Sequence, residues 1–125
     1  MSSSGLKLYY FNLRARAELI RLVLVATGRT WNDIRFDSAQ WTEYKHKMLL
    51  GQVPVLELAD GTQLPQALCI ARYVARETGL AGKDNLESAK IDVVIDTQRD
   101  MDEVFHSKIV FEKDRNRKAQ ELPFV

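Results

Sequence analysis

Gly51-Gln52-Val53-Pro54-Val55-Leu56-Glu57-Leu58-Ala59-Asp60-Gly61-Thr62-Gln63-Leu64-Pro65-Gln66-Ala67 is the stretch on which the fold turns. Gly51-Gln52 reads as a turn and Val53 to Leu58 as a strand. Asp60-Gly61 is a strong hairpin signal leading into a short strand, Thr62 to Leu64. Pro65 is expected to open a helix, because its missing N–H and fixed φ suit a first helical turn. That helix carries Leu68, Ile70, Ala71, Val74 and Ala75 at helical spacing and stops at Gly79. Upstream, Ser38 to Lys47 predicts a weak, mostly polar helix. Thr30 to Phe36 predicts a strand with Trp31, Ile34 and Phe36 as its apolar content. Leu19, Ile20, Leu22, Val23 and Ala26 recur at helical spacing over Arg16 to Thr27, and Gly28 supplies the stop. Leu6 to Phe11 is a short, β-rich first strand. The resulting order, β-α-β-α-β-β-α, predicts an α/β domain with a mixed four-stranded sheet and helices on both faces.

Beyond Gly79 the composition changes. Residues 80–85 read as a linker, and from Leu86 to about Lys113 neither proline nor glycine interrupts the chain. Leu86, Lys90, Val93, Val94, Thr97, Met101, Val104 and Phe105 mark one face of a long helix. Asp96, Arg99, Asp100 and Glu103 lie largely on another. Asp114 to Val125 reads as a charged turn running into a Leu-Pro-Phe end. The expected organisation is therefore residues 1–79 as one domain, a linker over 80–85, and a partial all-α domain over 86–125.

Composition narrows the function classes. A chain of 125 residues, 46% hydrophobic, can close one core with a small helical annex. Its 18 Lys+Arg against 17 Asp+Glu leave a net charge of +1, too little to steer it to nucleic acid or an acidic membrane. The first five residues are small and polar, with no apolar signal core, and no run approaches the ~20 apolar residues of a membrane span. A soluble, cytoplasmic chain is expected. The single cysteine, Cys69, supplies neither a disulfide framework nor a cysteine-based zinc site, and reads as a small buried residue on a helix. His46 and His106 sit among charged residues without a second ligand at metal-binding spacing, so both read as surface residues and no metal is expected.

Three local features carry chemistry. Val53-Pro54 opens a strand, where a proline sits at an edge or a bend. It is either an ordinary edge proline or a cis proline, and the cis form would leave the Val53 N–H and C=O free to pair with an extended peptide. The helix start at Pro65-Gln66-Ala67 offers free N–H groups and a positive dipole end to a carboxylate, with Gln66 able to add an amide contact. Tyr10 closes the first strand, and a phenol there can donate a hydrogen bond that favours a thiolate over a thiol. Against this, Tyr9 and Tyr10 alternate across the strand, so one of them must face the core.

Together, Lys7-Leu8-Tyr9-Tyr10-Phe11-Asn12, Arg14-Ala15-Arg16-Ala17-Glu18, Gly51-Gln52-Val53-Pro54-Val55-Leu56-Glu57 and Ile70-Ala71-Arg72-Tyr73-Val74-Ala75-Arg76 resemble the glutathione transferases, most closely the sigma class. That class includes the glutathione-dependent prostaglandin D synthases and the cephalopod lens S-crystallins. The resemblance runs from about Leu6 to about Phe105. It implies a thioredoxin-like glutathione-binding domain followed by the beginning of a helical domain. It implies that Tyr10 is the catalytic tyrosine, holding glutathione as thiolate for transfer to small hydrophobic electrophiles, and that Arg16 supports its environment. Trp41 and Lys45 would touch the glycyl end of glutathione, a ligand role that packing on so polar a helix does not readily replace. Val53, ahead of Pro54, would make two backbone bonds, with Gln52 flanking them. Gln66 would contact the γ-glutamyl group, and Asp100 would reach the γ-glutamyl amine in a neighbouring subunit's site, which implies a homodimer. The resemblance implies glutathione as the co-substrate.

The chain also departs from the family pattern. Ala67 stands where a serine is usual, removing a hydroxyl from the γ-glutamyl carboxylate. Ala15 replaces a glycine and is strained if φ there is positive. Leu49-Leu50 replaces Pro-Phe, weakening an aromatic anchor between subunits. Against the family's length, these 125 residues reach only the first long helix of the helical domain and a few residues more, so that helix's apolar face is expected to be exposed unless a partner covers it. An enzyme of the transferase or isomerase kind and a non-catalytic, crystallin-like binding protein both fit these features. A thioredoxin or glutaredoxin does not, because Asn12 to Arg16 contains no cysteine.

Overall fold

The computed structural model of the chain describes residues 5–110, and the expected charged turn over 114–125 lies outside the described residues. The chain divides into two compact units, one through Ala81 and one from Gly82. In the first unit, strands β1 (Lys7–Phe11), β2 (Asn32–Phe36), β3 (Val55–Glu57) and β4 (Gln63–Pro65) form a single sheet in the order β2-β1-β3-β4. β1 and β2 run parallel, Lys7 opposite Asn32 and Phe11 opposite Phe36. β3 runs antiparallel to both its neighbours, with Leu8 opposite Leu56 and Val55 opposite Pro65. This is the mixed four-stranded sheet of a thioredoxin-like α/β domain.

Helices α1 (Glu18–Thr27) and α3 (Ala67–Glu77) pack together over one sheet face. Leu8, Ile20, Leu24, Leu56, Ile70 and Val74 are fully buried there. The buried set of α1 is Ile20, Arg21 and Leu24, preceded by Ala17, while Leu22 and Val25 are 59% and 68% exposed. The apolar list over Arg16–Thr27 thus exceeds what the helix buries, and a charged residue occupies one of its inward positions. α1 is entered through a short 3₁₀ turn, Ala15–Ala17, and closes at Gly28, whose φ of 70° only glycine adopts without cost. Pro65 does not open α3. It is the last residue of an edge strand, where a missing N–H costs no ladder bond, and Gln66 takes the N-cap position of α3, without a side-chain capping bond.

On the other sheet face, α2 (Ser38–Lys45) has no apolar stripe and no buried residue. A capping box starts it: Asp37 accepts from the Gln40 N–H at 2.8 Å while Gln40 accepts from the Asp37 N–H at 3.0 Å. Aromatic contacts then hold it. Trp41 and Tyr44 stack on Phe36 at 5.5 and 4.6 Å between ring centroids, and Trp41 meets Phe11 edge-on at 5.5 Å.

In the second unit, α4 (Asn85–Phe105) is capped by Asp84, which accepts from the Glu87 N–H at 2.8 Å. None of its residues is buried. It passes into a wider turn over His106–Val110. His106 is buried, not a surface residue; its Nδ1 lies 2.8 Å from the Asp102 carbonyl oxygen. Cys69, conversely, is exposed, because α3 turns Ile70 and Ala71 inward and leaves position 69 on the outer side. No helix among the described residues is long and apolar enough to cross a membrane.

Candidate functional site

Strand directions alone gather the candidate residues of the first unit. β1 and β2 end where β3 begins, and β4 ends opposite that beginning. The turn after β1, the start of α2, the Gln52-Val53-Pro54 segment and the start of α3 therefore all emerge at one end of the sheet. Arg16, Gln52, Val53, Pro54, Gln66 and Ala67 lie on these segments and Tyr10 just before the first of them; Trp41 lies one turn into α2, and Lys45 closes that helix and reaches the Gly51 carbonyl with its side chain. Asp100 lies on α4, in the second unit, exposed.

The Val53–Pro54 peptide bond is cis. Val53 is half-buried against the core, and neither its N–H nor its C=O has a hydrogen-bond partner among the described residues. A buried or half-buried peptide edge left unpaired is uncommon, since backbone groups are nearly always matched. It is the backbone pair that an extended peptide ligand would take. Just before it, Lys45 Nζ donates to the Gly51 carbonyl at 3.1 Å and lies 5.7 Å from the Trp41 ring, so α2 and this turn are tied together. Trp41 has more packing than a polar helix leads one to expect: it stacks on Phe36 and meets Phe11, and the residue is half-buried.

At the start of α3, Gln66 has φ 76° and ψ 113°, well outside the conformations a side-chain-bearing residue prefers. Such a residue costs on the order of 1–3 kcal/mol and persists where the surroundings hold it. Its own side chain is exposed, and Ala67 packs against the core. Ala15 has φ 36°, so alanine does stand where the backbone favours glycine.

Tyr10 takes the core-facing side of β1, and Tyr9 the other. Tyr10 is 6% exposed, and its ring meets Phe11 edge-on at 5.8 Å. Its hydroxyl has no partner, yet the one unpartnered buried side-chain N or O among the described residues is Arg21 Nε, so the hydroxyl reaches solvent. A packed ring with an open hydroxyl can donate to an outside acceptor from a fixed direction. Arg16 is exposed on the 3₁₀ turn and makes no hydrogen bond or ion pair among the described residues. The arginine beside Tyr10 is Arg21, whose Cζ lies 5.7 Å from the ring centroid. Sequence reading passed over Arg21, though its position, one helical turn from Ala17 and from Leu24, put it on the buried face. Among the described residues no three His, Cys, Asp or Glu side chains gather as a metal site.

Residues 6–76 match the family model described as the glutathione S-transferase N-terminal domain. S-crystallin SL18 of Nototodarus sloanii is 44% identical over 94 residues, covering 75% of this chain and 30% of its own length. The hematopoietic prostaglandin D synthase of Gallus gallus is 46% identical over 91 residues, covering 73% of this chain and 45% of its own. Among solved structures, a prostaglandin synthase D of Nilaparvata lugens superposes with a TM-score of 0.83 at 38% identity, over 95% of this chain and 59% of its own. A monomeric glutathione S-transferase of the hookworm Necator americanus gives 0.79 at 37% identity, over 94% and 59%. The chain spans less than half the length of these curated relatives and about three fifths of these solved ones.

Proposed function

The chain belongs to the glutathione S-transferase family, and from that premise we propose that it binds glutathione along Val53 and uses Tyr10 to hold the sulfur as thiolate for attack on a small electrophile. The observation that carries this reading is the unpaired Val53 N–H and C=O at the sheet end where Tyr10 presents an open hydroxyl. The cysteinyl backbone of glutathione would complete that pair. Its γ-glutamyl carboxylate would lie at the start of α3, at Gln66 and the Ala67 N–H, where the helix dipole favours an anion. Trp41 and Lys45 would meet the glycyl end, with Gln52 beside Val53, and Arg16 would face the site from the 3₁₀ turn. With an aryl halide, the thiolate forms a carbon–sulfur bond, halide leaves, and the thiol proton goes to solvent. The protein's share is position and charge stabilisation.

By the same reading, two copies would pair through α4, whose Val93, Val94, Met101 and Val104 are exposed, with Asp100 serving the neighbouring site. Sedimentation over a concentration series checks this: a monomer throughout removes both the pair and the role of Asp100.

Calorimetric titration with glutathione, then an assay with a general arylating substrate, tests the main reading. Binding without turnover would favour a crystallin-like role, for which Ala67 speaks, since no hydroxyl stands beside the γ-glutamyl carboxylate. Ala67→Ser is then expected to tighten glutathione by about fivefold, the effect of about 1 kcal/mol from a hydrogen bond to a charged partner. Equal affinities would remove Ala67 from the site.

A further inference from the structure

Arg21 is buried to 5% exposure on the inward face of α1, at a position where the helix period calls for an apolar side chain. A charge in such a place destabilises unless it is paired and hydrogen-bonded. Its Nη1 donates to the Leu13 carbonyl at 2.6 Å and its Nη2 to the Phe11 carbonyl at 3.3 Å. Glu18 and Asp33 each place a carboxylate oxygen 3.6 Å from it. The two carbonyls flank Asn12, in the turn where the chain leaves β1 immediately after Tyr10. Asn12 in turn accepts from Arg35 Nη1 at 3.1 Å, and Arg35 Nε donates to Asp33 at 2.7 Å, so the turn is fastened on both sides. The same guanidinium lies 5.7 Å from the Tyr10 ring centroid, within cation–π reach.

A planar fork can hold two carbonyls and cover a ring at once, which an ammonium on a flexible stem cannot. We propose that Arg21 is a positioning residue for Tyr10: it fixes the turn that follows the tyrosine and the attitude of its ring, and so aims the hydroxyl at the glutathione sulfur. The inference rests on the glutathione reading above. It assigns to a buried residue of α1 the supporting role that the resemblance gives to the exposed Arg16.

A double-mutant cycle on the chain as it stands tests it, with Arg21→Met, Tyr10→Phe and both together, and Arg21→Lys as the conservative variant. Circular dichroism checks each fold. The readouts are glutathione affinity by calorimetry, the near-ultraviolet band of bound thiolate, and the rate of arylation. Arg21→Met is expected to keep affinity within about threefold while thiolate absorbance and turnover fall about tenfold. Arg21→Lys restores part of the loss. In the Tyr10→Phe background Arg21→Met changes turnover by less than about twofold, because its effect passes through the hydroxyl already removed. The same tenfold loss in both backgrounds overturns the inference and makes Arg21 a structural residue alone. If Arg21→Met does not fold, Arg21→Lys in the same cycle decides by the same criterion. A wild-type chain that forms the thiolate band but gives an additive cycle overturns this inference only. A wild-type chain that does not bind glutathione overturns the reading beneath it as well.

Discussion

On one face of the sheet, α1 and α3 bring Ile20, Leu24, Ile70 and Val74 against Leu8 and Leu56, all six fully buried. On the other face, α2 brings no buried residue at all and holds on through Trp41 and Tyr44 lying against Phe36. The first face is fastened by apolar area removed from water, worth roughly 25 cal/mol per Å². The second is fastened by ring contacts and a capping box, and its outer edges stay open. That difference separates the face that carries the core from the face that carries the proposed ligand residues Trp41 and Lys45. Each truncation on the closed face opens a cavity, whereas the shallow face can hold Trp41 against Phe36 and leave Lys45 exposed.

The largest expected effect belongs to the closed face. Leu24→Ala should cost about 2–5 kcal/mol, the lost transfer energy plus the cavity. On the same helix, Leu22→Ala, at a residue 59% exposed, should stay within about 0.5 kcal/mol. Denaturant midpoints compare the two, and equal costs would mean that α1 does not bury the face described. The shallow face should respond less. Trp41→Ala loses two ring contacts at about 0.5–1.5 kcal/mol each, so roughly 1–3 kcal/mol in all. Trp41→Phe keeps most of that packing. A Phe variant as stable as wild type that binds glutathione markedly less well would assign the indole to the ligand; unchanged affinity would leave the ring as packing only.

The closed face was largely legible in the sequence, and the shallow one was not. Ile70, Ala71 and Val74 recur at the helix period, and Gly28 and Gly79 mark where the helices end, so α1, α3 and their order could be read directly. α2 has no such period because it is held by rings rather than by an apolar stripe: Phe36, immediately before it, and Phe11, from the distant β1, and ring stacking leaves no period of its own. Arg21 escaped notice for a related reason. Its carbonyl partners exist only once the chain turns after β1, and nothing in a row of residues shows a turn's unpaired oxygens. The same limit explains Pro65 and Gln66. A proline before a helix reads as its first residue, and only the pairing of Val55 with Pro65 makes it the end of a strand.

The capping box is the one local signal on the shallow face, and removing it sharpens the comparison. Asp37→Ala should cost about 1 kcal/mol, the usual worth of an N-cap side chain. The loss should be felt mainly in Ser38–Lys45. Amide exchange there should quicken while α3 amides change only by the global amount. Uniform acceleration across both helices would show that α2 is as cooperatively tied to the core as α1.

The smallest effect concerns Tyr9, on the shallow side of β1. Its hydroxyl donates to Glu57 at 3.5 Å, and its ring lies 6.0 Å from that of Tyr44. Partial burial, and then the negative charge of Glu57, raise its pKa above the ordinary 10.0. Folding therefore holds the phenolic proton more tightly than the unfolded chain does. The stability this contributes is fully present below pH 10.0 and is lost as pH rises through the higher folded value. The contribution stays under about 1 kcal/mol, because most of the group is solvated and screened. Denaturant midpoints for wild type and Tyr9→Phe, taken between about pH 8 and about pH 11, isolate it from the other tyrosines and lysines that titrate in that range. The wild-type curve should fall more steeply on the alkaline side and converge toward that of Tyr9→Phe. Parallel curves would mean that Tyr9 is as free in the fold as in the unfolded chain, and that the polar side of the shallow face contributes nothing to its hold on the sheet.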